Sequence, residues 1–165
     1  MKALIVSIVL LCAFTANASS NLNPNINKVI DQFHQAAAQA NLNAYFELLS
    51  DNAIFLGTAP DERWTKKQFK AYVAPFFAKG RGWTYKSIER NISNIGNTGS
   101  VFFDEVLVNE SYGTCRGSGI MVKTDKGWKI AQYNLSIPVP NDITDDVVKQ
   151  INHHYQRKQS KNESK

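Results

Sequence analysis

The sequence predicts an α+β domain, helices first and an antiparallel sheet after, and three observations carry that prediction. Apolar residues recur at helical spacing from about residue 24 into the seventies. From Trp83 the period changes to two, in runs at about 83–94, 100–109, 113–124 and 127–138. Short turn-forming segments join these runs, so successive strands form hairpins and together a meander.

The first residues stand apart from the domain. Met1-Lys2, an apolar run from Ala3 to Phe14 and the small-x-small pattern Ala16-Asn17-Ala18 read as a secretory signal peptide over residues 1–18, with the mature chain starting near Ser19. The run is too short for a stable membrane anchor. Export is therefore expected, to the periplasm in a Gram-negative cell and to the medium otherwise. Cys12 lies in the leader, so Cys115 alone remains and no intramolecular disulfide is available. The formal charge of +5 comes largely from the C-terminal Arg157, Lys158, Lys161 and Lys165. Basicity confined to a tail does not make a nucleic-acid surface, and none is expected.

Within the domain, expected over residues 19–141, Asn23-Pro24 has the form of a helix start, with asparagine as cap and proline at the first helical position. Ile26, Val29, Ile30, Phe33, Ala37 and Ala40 then make one apolar stripe to about residue 40. His34 sits at the edge of that stripe and reads as a boundary or surface histidine. A second helix at about 42–50 carries Leu42, Tyr45, Phe46 and Leu49, and residues 53–56 read as a short buried strand. A loop follows over residues 57–64. Thr65-Lys66-Lys67-Gln68 then forms a capping box that opens a third helix, with Pro75 shortening its end. Past the strands, Pro138-Val139-Pro140 leads to an amphipathic helix at about 142–156 with Val147, Val148, Ile151 and Tyr155 on one face. Residues 157–165 read as a basic disordered tail.

The last strand points to a site. Alternation puts Trp128, Ile130, Gln132, Asn134 and Ser136 on one face and Ala131, Tyr133, Leu135 and Ile137 on the other. A three-residue loop at Asp125-Lys126-Gly127 pairs Thr124 with Trp128, which aligns Ser118 with Asn134 and Arg116 with Ser136. A turn on Glu110-Ser111 then brings Glu105 opposite Arg116, with Phe103 on the same face; a one-residue slip exchanges Asp104 for Glu105. The first face becomes one wall of a pocket, apolar at one end and polar at the other. Its Arg116–Glu105 pair reads equally as a structural ion pair or as a device that orients a polar ligand. The second face, with Cys115, Gly117, Gly119 and Met121, is fairly apolar and calls for cover by the C-terminal helix or a second subunit. Cys115 reads as a packed thiol there.

Phe55-Leu56-Gly57-Thr58 with Glu62 and Trp64-Thr65, Phe103-Asp104-Glu105, Arg116-Gly117-Ser118-Gly119, and Gly127-Trp128-Lys129-Ile130 through Asn134-Leu135-Ser136 follow one another in the order of a known family. Across about residues 25–138 the chain resembles the SnoaL-like branch of the nuclear transport factor 2 superfamily. The resemblance implies a cone in which three helices close over a strongly curved antiparallel sheet around a central pocket. Its members include ketosteroid-isomerase-like and dehydratase-like enzymes, polyketide cyclases, and proteins that only bind ligands or partners. Several similar domains place a histidine on the last strand where this chain has Asn134, and an asparagine cannot act as a general base.

The expected binding residues are thus Glu62, Trp64, Phe103, Arg116, Ser118, Gln132, Asn134 and Ser136, with Glu105 as the one candidate acid–base group and Asp61 or Glu62 as rim alternatives. Tyr45 and Tyr72 read as cavity lining or core. His34, His153 and His154 make no metal set, and no cofactor is expected. Three functions stay open: an exported pocket protein for a small, mostly apolar organic molecule; an isomerase, dehydratase or cyclase using Glu105; and an interaction module that homodimerises through the outer sheet face.

Overall fold

The structure is a computed structural model that describes residues 24–163. The leader, the Ser19 start, the Asn23 cap and the last two residues lie outside the described residues. Helix α1 (Pro24–Ala38) buries Ile26, Ile30, Phe33, Ala36 and Ala37. Asn41 then caps α2 (Leu42–Glu47), its Oδ1 accepting from the Ala44 N–H at 3.1 Å. The expected capping box opens α3 (Lys66–Phe77): Thr65 Oγ1 accepts from the Gln68 N–H at 3.3 Å while Gln68 Oε1 accepts from the Thr65 N–H at 3.0 Å. Pro75 falls in the last turn of that helix.

Strand β1 (Leu49–Leu56) is longer than its apolar core, and the expected loop contains a short strand, β2 (Arg63–Thr65). The meander follows as β3 (Lys86–Asn94), β4 (Ser100–Asn109), β5 (Gly113–Thr124) and β6 (Gly127–Ser136). One curved sheet holds all six in the order β2-β1-β6-β5-β4-β3. Its β1–β6 pair is parallel, with Ile54 beside Gln132 and Leu56 beside Asn134, so the sheet is mixed rather than wholly antiparallel. Only a long connection can join parallel neighbours, and here it is the rest of the sheet. Lysines cap carbonyls at this junction: Lys66 Nζ donates to Leu49 O at 2.8 Å, where the β1–β6 pairing becomes irregular, and Lys129 Nζ donates to Glu47 O at 2.7 Å at the C-terminal end of α2.

The two hairpins correct the expected register. The β4–β5 turn is one residue longer: Asn109 pairs with Gly113, whose φ of 66° suits glycine, and Asn109 Oδ1 accepts from the Ser111 and Tyr112 N–H groups at 2.9 Å each. Glu105 consequently faces Gly117, and Val106 faces Arg116. In the β5–β6 hairpin Thr124 pairs with Gly127, one residue tighter than expected. A bulge at Ala131, between Ile130 and Gln132, takes up the difference, so the expected pairs Ser118 with Asn134 and Arg116 with Ser136 are present.

The bulge also decides the faces. Tyr133 and Leu135 share the buried face with Ile130, and with them lie Cys115, Gly117, Gly119 and Met121 of β5 and Val101, Phe103, Glu105 and Leu107 of β4. The face expected to need an outside cover is thus the inner one, and α1, α2 and α3 cover it. Gln132, Asn134, Ser136, Ser118 and Arg116 lie on the outward face, half-buried or exposed. Aromatic rings fill the space between helices and sheet, with Phe33 stacked on Tyr45 at 4.4 Å and tilted on Tyr133 at 5.0 Å. Beyond the domain, α4 (Thr144–Glu163) runs past the expected end at 156 through Arg, Lys and Gln residues of good helix propensity. Its Val148, Ile151 and Tyr155 are exposed.

Candidate functional site

Glu105 is the one fully buried charged residue among the described residues, 1% exposed. Its register on β4 sets it directly beside Arg90 of the edge strand β3. Arg90 Nε donates to Glu105 Oε2 at 3.0 Å, and Nη2 lies 3.0 Å from the same oxygen without hydrogen-bond alignment. Helix α1 crosses above them and presents Asn27, Asp31 and His34 at helical spacing on one face. His34 Nε2 lies 2.7 Å from Glu105 Oε1, and Arg90 Nη1 donates to Asp31 Oδ1 at 2.8 Å and to Asn27 Oδ1 at 3.2 Å. From β6 the Tyr133 hydroxyl donates to Glu105 Oε1 at 3.2 Å. Gly117 makes room for this meeting, because a Cβ there would collide with the Tyr133 hydroxyl and stand 2.9 Å from Glu105 Oε1.

The electrostatics follow from these partners. Burial pushes the Glu105 carboxyl upward, but the hydrogen bond and charge of His34 and the Arg90 guanidinium outweigh it and hold the group below its ordinary value. Burial first, and then the Glu105 charge, push the Tyr133 phenol well up. Glu105 is therefore an ionised, fully bonded carboxylate closed off from solvent. A general acid or base must come within reach of the proton it moves, and Glu105 is enclosed by Arg90, His34 and Tyr133. The expected Arg116 partner is replaced by Arg90 and His34, neither of which was read as a site residue. The readable signal for them was the polar line Asn27, Asp31 and His34 flanking the α1 stripe, with an arginine inside a strand.

An open cleft lies elsewhere. At the end of the sheet where the 57–62 loop, β2, α3, the α3–β3 connection and the β4–β5 turn converge, a cavity of about 200 Å³ opens. Phe55 stacks on Phe69 at 3.8 Å, Phe69 on Trp64 at 5.5 Å, and Trp64 on Tyr72 at 5.1 Å, a continuous run of rings from the core to the surface. Trp83, Tyr85 and Tyr112 complete the aromatic lining, and Leu135 of β6 joins it. Burial, with Cys115 and Tyr112 adding to it, raises the Tyr85 phenol to about 12. Glu62 stands at this lining, and its Oε2 accepts from the Ala59 N–H at 3.1 Å.

The structure thus distributes the expected site residues over four places. Trp64 and Glu62 meet in the cleft. Asn134 and Ser136 join Glu62 around a shallow hollow beside the 57–60 loop, on the outward side. Phe103 is buried in the core with Glu105, while Arg116, Ser118 and Gln132 lie along the outward sheet face, Arg116 and Ser118 as the cross-strand partners of Ser136 and Asn134. Of the two tyrosines, Tyr72 lines the cleft and Tyr45 is buried with its hydroxyl unpartnered. Cys115 is buried, and burial raises its thiol. Among the described residues no three His, Cys, Asp or Glu side chains cluster as a metal site.

The family model for the SnoaL-like domain matches residues 26–140. The chain belongs to that family. No curated protein matches its sequence. Solved structures of similar fold include a cystatin-like-fold protein of Caulobacter vibrioides, 14% identical with a TM-score of 0.60 over 76% of this chain and 96% of that one. A candidate scytalone dehydratase of Novosphingobium aromaticivorans DSM 12444 is 13% identical, with a TM-score of 0.59 over 70% and 83% of the two chains. A candidate ketosteroid isomerase of Shewanella frigidimarina NCIMB 400 is 17% identical, with a TM-score of 0.56 over 70% and 98%. At these identities the likeness is one of fold, and this SnoaL-like chain shares the nuclear transport factor 2-like cone with them.

Proposed function

We propose that this SnoaL-like protein is exported and binds a small, mostly apolar organic molecule in the aromatic cleft, without itself carrying out a reaction. The observation that carries the reading is the stacked run Phe55, Phe69, Trp64 and Tyr72, open to solvent at Tyr72 and closed at Phe55. Clefts lined by aromatic residues with a few convergent polar groups are the usual form of small-molecule sites. The volume of about 200 Å³ suits a ligand smaller than a drug-sized one. The 1–18 leader supports export.

The enzymatic alternative would need Glu105 to exchange a proton with substrate, and its burial with three bonded partners argues against that role. The test is a thermal-shift screen of the mature protein against small aromatic and alicyclic compounds. Ligands that raise the melting temperature of the wild type, with the shift lost in Trp64→Ala, are expected. A screen without a single hit, or hits that survive Trp64→Ala, would overturn the reading.

A second role rests on a separate observation. On the outward sheet face Phe102 and Ile120 are cross-strand partners, 48% and 36% exposed, with Val106 and Val122 alongside. A homodimer through this face would remove that apolar surface from water. Light scattering of the wild type and of Phe102→Glu tests it, with a dimer expected for the first and a monomer for the second; a monomeric wild type contradicts it.

A further inference from the structure

We infer that the ligand of the aromatic cleft is a small organic cation, a quaternary or protonated amine on an apolar body. The inference rests on the proposed use of the cleft and adds the charge of its occupant. Seven of the eleven residues that line the cleft are aromatic. Aromatic faces carry negative potential and attract cations, an attraction strengthened where water is partly excluded. The lining contains one carboxylate, Glu62, and no lysine, arginine or histidine. An anionic ligand would therefore meet repulsion with nothing to offset it, and a neutral one could gain a hydrogen bond from Glu62 but no charge pairing.

The carboxylate is also placed for the task. The 57–62 loop folds back on itself, with the Gly57 N–H donating to Glu62 O at 2.8 Å and the Glu62 N–H to Ala59 O at 3.0 Å. Gly57 leaves the space that the Glu62 side chain occupies, since a Cβ at 57 would collide with Glu62 Oε2. Oε2 is held by the Ala59 N–H, while Oε1 has no protein partner among the described residues. The loop thus fixes a half-buried carboxylate at the aromatic lining with one oxygen left over. The Tyr85 phenol, raised to about 12, stays neutral at physiological pH and leaves Glu62 as the one anion of the lining.

The experiment compares choline with 3,3-dimethylbutan-1-ol, which has the same shape without the charge, by isothermal titration calorimetry on the mature protein. Choline is expected to bind about tenfold more tightly, the size of a cation–π preference in a partly desolvated site. In Glu62→Gln, where the amide oxygen still accepts from Ala59, choline affinity is expected to fall about threefold to tenfold and that of the alcohol, which has no charge to lose its partner, to fall less. Circular dichroism confirms that the variant is folded, and Trp64→Phe, which keeps an aromatic face, serves as a second variant with a smaller loss. Equal or tighter binding of the alcohol, or no choline binding at all, overturns the cation assignment. The pocket reading stands or falls separately, on the thermal-shift screen and its Trp64→Ala control.

Discussion

Glu105→Gln separates a structural carboxylate from a catalytic one. The substitution keeps the shape of the side chain but removes the charge that holds the Arg90 guanidinium and His34. Breaking a buried ion pair by removing one partner costs about 3–5 kcal/mol. Two features of the structure reduce this: Arg90 keeps its 2.8 Å contact to Asp31, and the amide still offers an acceptor to Tyr133. We expect a loss of about 2 kcal/mol, which for a domain of this size lowers the melting temperature by roughly 4–8 °C. Urea unfolding followed by circular dichroism reads it as a midpoint lowered by about 1 M at unchanged slope. The pH dependence gives a second check. The folded value of Glu105 lies below its unfolded value, so its stabilisation is fully present above the ordinary carboxylate value of about 4.3 and fades as pH falls through the folded value. The gap between wild type and variant should therefore close on acidification. A variant within about 0.5 kcal/mol of wild type at neutral pH would refute the reasoning, because it would leave the buried carboxylate without a structural role.

Three further outcomes follow from the same packing. Tyr45→Phe should stabilise the protein by about 1 kcal/mol, since it removes a buried hydroxyl that has no partner; destabilisation in urea would contradict this. Gly117→Ala should cost about 2–3 kcal/mol, because its methyl enters the space where Glu105 and Tyr133 meet; an unchanged urea midpoint would show that the site relaxes freely. Tyr72→Ala, at the exposed end of the ring stack, should weaken cleft ligands about tenfold in a titration while changing stability by less than about 0.5 kcal/mol; equal affinity would remove Tyr72 from the site.

Local chemistry made much of the architecture readable. The capping box at Thr65, the helical stripe from Ile26 to Ala37 and the four period-two runs are each encoded within a dozen residues, and each stands in the structure close to where the pattern puts it. The faces of the sheet were not readable in the same way. A single extra residue in the Asn109–Gly113 turn and one bulge at Ala131 decide which side of β4 and β6 is buried, and neither has a distinct sequence signature. One displacement had two effects on Glu105: the longer turn took it away from Arg116 and placed it on the face that α1 covers. The sequence singled out Glu105 but placed it on a pocket wall beside Arg116, and its actual partners were missed because Arg90 and His34 lie on elements far apart in the chain. Trp64 and Glu62 were legible from the resemblance. The lining from Trp83, Tyr85 and Tyr112 was not, since it depends on how the α3–β3 connection and the β4–β5 turn meet in space.

The central claim is that the aromatic cleft, and not the sealed carboxylate, is the working site. Titration of the mature protein with a hit from the thermal-shift screen, followed by tryptophan fluorescence in wild type, Trp64→Ala and Glu105→Gln, tests it most directly. Saturable binding that is lost in Trp64→Ala and kept in folded Glu105→Gln is the predicted result. Binding kept in Trp64→Ala and lost in Glu105→Gln would contradict it.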